Sequence, residues 1–134
     1  MAKRILLVED NPASLELMRY LLHSAGHEVL LATNGLEAMQ HLLDDLPDLV
    51  LTDIQMPVSD GYALLAHIRS DARTRGLPVV ALTAYSMPGD EERVMGAGFD
   101  AYLAKPIDPE TILQEVDALL ARMGPHRGSG AGLA

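Results

Sequence analysis

Short apolar runs alternate along this chain with longer stretches in which apolar residues recur every three or four positions. The runs are Ile5-Leu6-Leu7-Val8, Val29-Leu30-Leu31-Ala32, Leu49-Val50-Leu51 extended by Thr52, Val79-Val80-Ala81-Leu82 ending at Thr83, and Ala101-Tyr102-Leu103-Ala104. Their length suits strands, and unbroken apolar character suits strands covered on both faces. Each is followed by a helical pattern. Leu15, Met18, Leu22 and Ala25 mark the first apolar face, Leu36, Met39, Leu43 and Leu46 the second, Tyr62, Leu65 and Ile68 the third, and Ile112, Val116, Leu119 and Met123 the last. Between the last two, the stretch from Asp90 to Gly98 is weakly helical. A repeated strand-helix rhythm requires a parallel sheet with right-handed crossovers and helices on both faces, so the fold class is α/β, doubly wound.

Punctuation residues support these boundaries. Asn11 is placed to cap the first helix with Pro12 at its first position, and Gly26 to end it. Asn34-Gly35 makes the next turn, Pro57 ends the central strand, and Ser59-Asp60-Gly61 supplies turn residues. The polar run Arg69 to Gly76 reads as a surface connection. Pro88-Gly89-Asp90-Glu91-Glu92 sets acidic residues at a helix start, but Gly96 and Gly98 weaken its continuation, so this helix is expected to be short and mobile. Asp108-Pro109-Glu110 starts the last helix. Residues 1–123 are expected to form one domain, and Gly124 to Ala134, Gly-rich and without periodicity, a flexible tail.

Length and charge narrow the function. A chain of 134 residues is a comfortable single domain. Its net charge of −9 disfavours nucleic acid and anionic membranes. The absence of cysteine removes disulfides, thiolate metal sites and a cysteine nucleophile. The apolar run after Met1-Ala2-Lys3-Arg4 breaks at Glu9-Asp10, too early for a signal-peptide core, and no run approaches a membrane span. A soluble, cytoplasmic protein is expected. His23 and His27 stand four apart, but Gly26 separates them, which argues against metal ligation. The Gly128-Ser129-Gly130-Ala131-Gly132 run has no strand before it and no Lys-Ser/Thr after it, so it is no phosphate loop.

The strands end in polar residues of different kinds: Glu9-Asp10, Asp53, Thr83 and Lys105. In a parallel α/β sheet the carboxyl ends of the strands form the ligand crevice, so these residues share one rim. Taken singly, each has a bland explanation: a turn aspartate, a strand-end threonine, a lysine before a helix. Taken together, three clustered carboxylates need a hard cation or a cationic side chain to hold them. Magnesium suits oxygen ligands. If Asp53 is a nucleophile, the oxygens of a phosphoryl group on it need a metal, an ammonium and a hydroxyl around them, and Lys105 and Thr83 supply the last two.

In these residues and their order the chain resembles the receiver domains of two-component response regulators, the CheY-like family, over about Lys3 to Met123. The acidic pair matches Glu9-Asp10, the phosphoacceptor Asp53 in Asp53-Ile54-Gln55-Met56-Pro57, the switch hydroxyl Thr83 in Leu82-Thr83-Ala84, and the lysine Lys105-Pro106. The resemblance implies a five-stranded sheet in the flavodoxin-like order 2-1-3-4-5. It further implies Mg²⁺ ligated by Asp10, Asp53 and the backbone carbonyl of Gln55, with Glu9 acting mostly through water. Tyr102 falls at the family's aromatic switch position, and a cis Lys105-Pro106 peptide is implied. The stretch from Asp90 to Pro106 is most similar to single-domain, DivK-like regulators.

The implied function is a phosphoacceptor switch rather than an enzyme acting on other molecules. A histidine kinase or histidine phosphotransfer protein would donate to Asp53, and a downstream protein would read the result, with the chain a monomer or weak dimer. Two alternatives differ in class. A Mg²⁺-dependent phosphohydrolase with an aspartate nucleophile would need a general acid two residues on, where this chain has Gln55. A pseudo-receiver scaffold would have lost a key position, and none is lost.

Overall fold

The strands are β1 (Arg4–Val8), β2 (Glu28–Ala32), β3 (Leu49–Asp53), β4 (Val79–Thr83) and β5 (Ala101–Ala104), alternating with helices α1 (Pro12–Ser24), α2 (Gly35–Asp44), α3 (Gly61–Ser70), α4 (Asp90–Gly96) and α5 (Ile112–Met123). The computed structural model describes residues 3–56, 60–84 and 89–123. The expected tail, Pro57, Ser59 and Pro88 lie outside them. All pairings are parallel, in the order β2-β1-β3-β4-β5 that the resemblance implies.

Alternation along each strand divides the core into two layers. Leu6, Val8, Val50, Val79 and Ala81 pack with Ala38 and Leu42 of α2, Leu64, Leu65 and Ile68 of α3 and Val94 of α4. Ile5, Leu7, Leu49, Leu51, Val80 and Leu82 pack on the other side with Met18 and Leu22 of α1 and Ile112, Val116 and Leu119 of α5. Covering both faces is what makes the strands read as unbroken apolar runs. Among the described residues no helix is long and apolar enough to cross a membrane.

Three helices begin on a side-chain cap. Asn11 accepts from the Ser14 amide at 3.0 Å, Asn34 from Glu37 at 2.9 Å and Asp60 from Ala63 at 2.9 Å. Pro12 stands at the start of α1, and Gly26, at φ +93°, takes the left-handed conformation that ends it. By contrast α4 has only seven residues, and its N-cap, Gly89, makes no side-chain cap bond. Its expected shortness is therefore observed.

Three details differ from the sequence pattern. In α2 the buried stripe is Gly35, Ala38 and Leu42, while Leu36 and Leu43 are 60% and 73% exposed. Apolar residues occupy two overlapping sets at helical spacing there. The set containing the small residues Gly35 and Ala38 faces the sheet. Leu46, counted in the expected stripe, lies beyond the end of the helix, which Asp45 terminates in extended conformation. Secondly, Arg69 and Ser70 belong to α3, and Thr74 in the following connection is buried, its hydroxyl donating to the Ile68 carbonyl at 2.7 Å. Thirdly, α5 starts at Ile112. Asp108 first folds a turn by accepting from Glu110 with its side chain and from Thr111 and Ile112 with its carbonyl.

Arg69 forms a clasp at the amino-terminal edge of β4. Its guanidinium donates to the carbonyls of Arg75 and Leu77 at 2.9 and 2.7 Å and to the Asp100 carboxylate at 2.9 Å. The same Asp100 oxygen accepts from the Val79 amide at 2.8 Å. One carboxylate and one guanidinium thus join α3, β4 and the turn between α4 and β5.

The buried and exposed apolar positions are separable by mutation. Leu22→Ala, which truncates a fully buried side chain of α1, is expected to cost about 2–5 kcal/mol in urea denaturation. Leu43→Ala should change stability by no more than about 0.5 kcal/mol. A large loss for Leu43→Ala would return it to the core.

Candidate functional site

Strand register assembles the rim. Val8 is paired with Thr52, so Glu9 and Asp53 leave adjacent strands at the same level. Thr83 is paired with Ala104, so Lys105 follows β5 beside it, and the Lys105 amide donates to the Thr83 carbonyl at 2.9 Å. The Glu9 amide is tied to the Ala32 carbonyl at 3.0 Å. The chemical side chains stand at or next to the paired ends of strands, which fixes their backbone.

Lys105 is the centre of the arrangement. Its ammonium lies 2.8 Å from Glu9 Oε1 and 2.9 Å from Asp53 Oδ2. Glu9 is only 1% exposed. Burial pushes its carboxyl up, against the opposing pull of the Lys105 ammonium and the Asn11 amide. For Lys105, burial alone would lower the ammonium, yet the combined attraction of Glu9 and Asp53 outweighs it and holds the group above its ordinary value. Lys105 is therefore charged throughout the physiological range. The Lys105-Pro106 peptide bond is cis, as the resemblance implies.

Glu9, Asp10 and Asp53 each bring a carboxylate oxygen within 4.8 Å of the others. Three such groups outnumber the single ammonium. Although Glu9 Oε1 is in ion-pair range of Lys105, it is fully buried and accepts no hydrogen bond of acceptable geometry among the described residues. A buried, under-satisfied carboxylate oxygen beside two more carboxylates is a donor set that fits a hard divalent cation.

The rim opens into a cavity of about 210 Å³ lined by Asp53, Gln55, Thr83 and Lys105, with Tyr62 of α3 and Asp90 and Arg93 of α4. Tyr102 is half-buried against the α2–α3–α4 core layer, and its hydroxyl is hydrogen-bonded to Glu91, which pushes the phenol up. The structure thus brings together Glu9, Asp10, Asp53, Gln55, Thr83 and Lys105, and sets Tyr102 on β5 against α4.

Two contributors are not legible as site residues from the sequence. Gly61 serves as more than a turn: a Cβ there would lie 2.5 Å from the Asp53 carbonyl oxygen and 2.9 Å from the Ile54 Cα. Its amide donates to the Ile54 carbonyl at 2.8 Å, so the start of α3 abuts the backbone of Asp53 itself. The only sequence signal is its place shortly after Asp53, at the end of the turn. Arg93 lines the cavity from α4, and nothing in a Glu-Glu-Arg sequence announces that.

The sequence matches the family model of the response regulator receiver domain over residues 5–117. The chain belongs to that family. The receiver is 38% identical over 120 residues to the polar-differentiation response regulator DivK of Brucella anthropi, covering 90% of this chain and 98% of that protein. Among solved structures it is similar to the receiver domain of a sensor histidine kinase of Pseudomonas aeruginosa, determined with a magnesium ion coordinated in the active-site cleft. That match has a TM-score of 0.79 and 36% identity, over 92% of this chain and 98% of that one. It is also similar to the chemotaxis response regulator CheY4 of Vibrio cholerae, with a TM-score of 0.82 and 27% identity over 90% and 100% of the two chains. The protein is thus a CheY-like, DivK-like receiver, a signalling domain of two-component systems.

The close approach at Gly61 gives a local test. Gly61→Ala is expected to destabilise the receiver by about 1–3 kcal/mol, because the obstruction is backbone that cannot rotate away. Gly96→Ala, where a Cβ meets nothing within 4 Å, should be neutral or stabilising by up to about 1 kcal/mol. Urea midpoints of the two variants check the pair.

Proposed function

We propose that this receiver is a phosphorylatable switch in which Asp53 is the phosphoacceptor. The observation that carries the reading is the position of Asp53: its carboxylate sits in the acidic cluster, bonded to Lys105, at the floor of a cavity that admits a phosphoryl group. A histidine kinase or histidine phosphotransfer protein is the donor. An Asp53 carboxylate oxygen attacks phosphorus, an O–P bond forms as the donor's P–N bond breaks, and the departing imidazole takes up a proton. Lys105 holds the nucleophile in place and then stabilises the oxygens of the product. Thr83, on the wall of the cavity, donates its hydroxyl to the phosphoryl group and so registers its presence.

Mg²⁺ held by Glu9, Asp10, Asp53 and the Gln55 backbone carbonyl would supply the positive charge that lets two anionic groups meet. What the chain contributes is the pre-positioned donor set. Turning Thr83 towards the phosphoryl group vacates space behind it, and Tyr102 moves inward to fill it, releasing Glu91. The altered face of α4, β5 and α5 is then what a downstream protein reads. No step transforms another molecule beyond taking its phosphoryl group, so the receiver is a switch rather than an enzyme. It works in the cytoplasm, through protein contacts.

Asp53→Asn keeps the shape and removes the nucleophile. Incubated with acetyl phosphate and Mg²⁺, wild type should gain acid-stable, base-labile phosphate and the variant none; equal labelling would place the acceptor elsewhere. Mg²⁺ at about a hundred times its dissociation constant should stabilise the native state by about 2.7 kcal/mol, read as a raised melting temperature. An unchanged melting curve at millimolar Mg²⁺ would remove the metal from the proposal.

A further inference from the structure

Arg4, Arg19, Arg69 and Arg73 each direct the guanidinium to a carboxylate or carbonyl acceptor: Glu28 and Asp45, Glu16, Asp100, and the Leu42 carbonyl respectively. Arg93 differs. Its side chain makes no hydrogen bond or ion pair with any described residue, although it lies one turn from Asp90 and beside Glu92. It also lines the cavity that contains Asp53, Thr83 and Lys105. A guanidinium uncommitted among the described residues, on the wall of this cavity, is available to an anion held there.

The charges show what that guanidinium can meet. The single ammonium of the rim is already shared by Glu9 and Asp53. A phosphoryl group on Asp53 brings about −1.5 to −2 charge and three acceptor oxygens. Lys105, Thr83 and a cation held by the acidic cluster all approach that group from the strand ends, and none of them from the α4 side of the cavity. A guanidinium, planar and with several donors, is the side chain best suited to a phosphoryl face left open to the cavity.

We propose that Arg93 is a phosphoryl-binding residue: it closes on the modified Asp53 from α4, so that the helix itself is drawn by the charge. This rests on Asp53 being the phosphoacceptor and extends that reading. The contact exists only in the phosphorylated state, so α4 gains an interaction that the resting state lacks, which is the differential affinity any switch needs. Arg93 and Thr83 reach the same anion from different walls of the cavity, one on the helix and one on the strand.

Beryllofluoride, a stable mimic of the phosphoryl group, tests this with the full chain in the presence of Mg²⁺. Its affinity is measured by fluorine NMR for wild type, Arg93→Gln and Arg93→Lys, with circular dichroism melting to confirm that all three fold alike. Arg93→Gln is expected to weaken binding by about three- to tenfold, and Arg93→Lys to keep most of the affinity. The gap between wild type and Arg93→Gln should narrow as salt rises, as a half-open charge contact does. The half-life of the acetyl phosphate-labelled form should shift in Arg93→Gln and return towards wild type in Arg93→Lys. Equal affinity for wild type and Arg93→Gln overturns the proposal, and so does Arg93→Lys binding as weakly as Arg93→Gln. Wild type that takes up neither beryllofluoride nor phosphate is a separate result, which overturns the assignment of Asp53.

Discussion

The ammonium of Lys105 holds two carboxylates that would otherwise repel each other, and the rest of the molecule is arranged so that it can. Glu9 belongs to the end of β1, Asp53 to the end of β3 and Lys105 to the exit of β5, so the contact closes only if three strands end at one level. Parallel pairing supplies that level, and the crossover helices enforce parallel pairing. Removing one charge of a buried pair leaves the other uncompensated, so the site stores unfavourable electrostatics that the apolar layers on either side must outweigh. Burial of Glu9 is the sharpest expression of this: a carboxylate is kept out of water where its charge is opposed by a single cation.

The parts of the fold that are legible in the sequence are those set by local chemistry. Asn11, Asn34 and Asp60 cap helices because a short polar side chain can reach an orphan amide, and that signal needs no tertiary information. Strands buried on both faces announce themselves as apolar runs. The polar residues at their ends can be placed on one rim from topology alone. The illegible part begins where one of two helical faces must be chosen. In α2 the choice between Leu36 and Leu43 on one side and Ala38 and Leu42 on the other turns on how closely the helix can approach the sheet, a property of the assembled layer. Arg69 reads as part of a polar connection because its four acceptors come from segments between six and thirty-one positions away. Gly61 reads as a turn residue for a similar reason: the atom that forbids a side chain there belongs to β3.

The two layers accordingly divide the labour. The α1–α5 layer joins two long helices to β1, β3, β4 and β5 through buried apolar side chains, Met18 and Leu22 of α1 among them. The opposite layer contains the seven-residue α4, anchored by Val94, and the edge-to-face pair of Tyr62 and Phe99 with ring centroids 5.8 Å apart. Local opening is drawn from elements with few buried contacts and short helices, so the second layer is where the structure can change most readily.

The clasp around Asp100 gives that layer a fulcrum. Arg69 grips Asp100, and Phe99 beside it is buried, so the carboxyl end of α4 is held to α3 and to the start of β4. The amino end begins at a glycine with no side-chain cap. A helix of seven residues is about 10 Å long, and pivoting it by about 10° around a fixed end moves the free end by about 2 Å. Such a helix acts as a lever pinned beside the amino-terminal end of β4, whereas Asp53 stands at the carboxyl end of the neighbouring β3. Its displacement is smallest at the pin and grows towards the cavity, so a modest tilt is amplified where a partner protein would touch it.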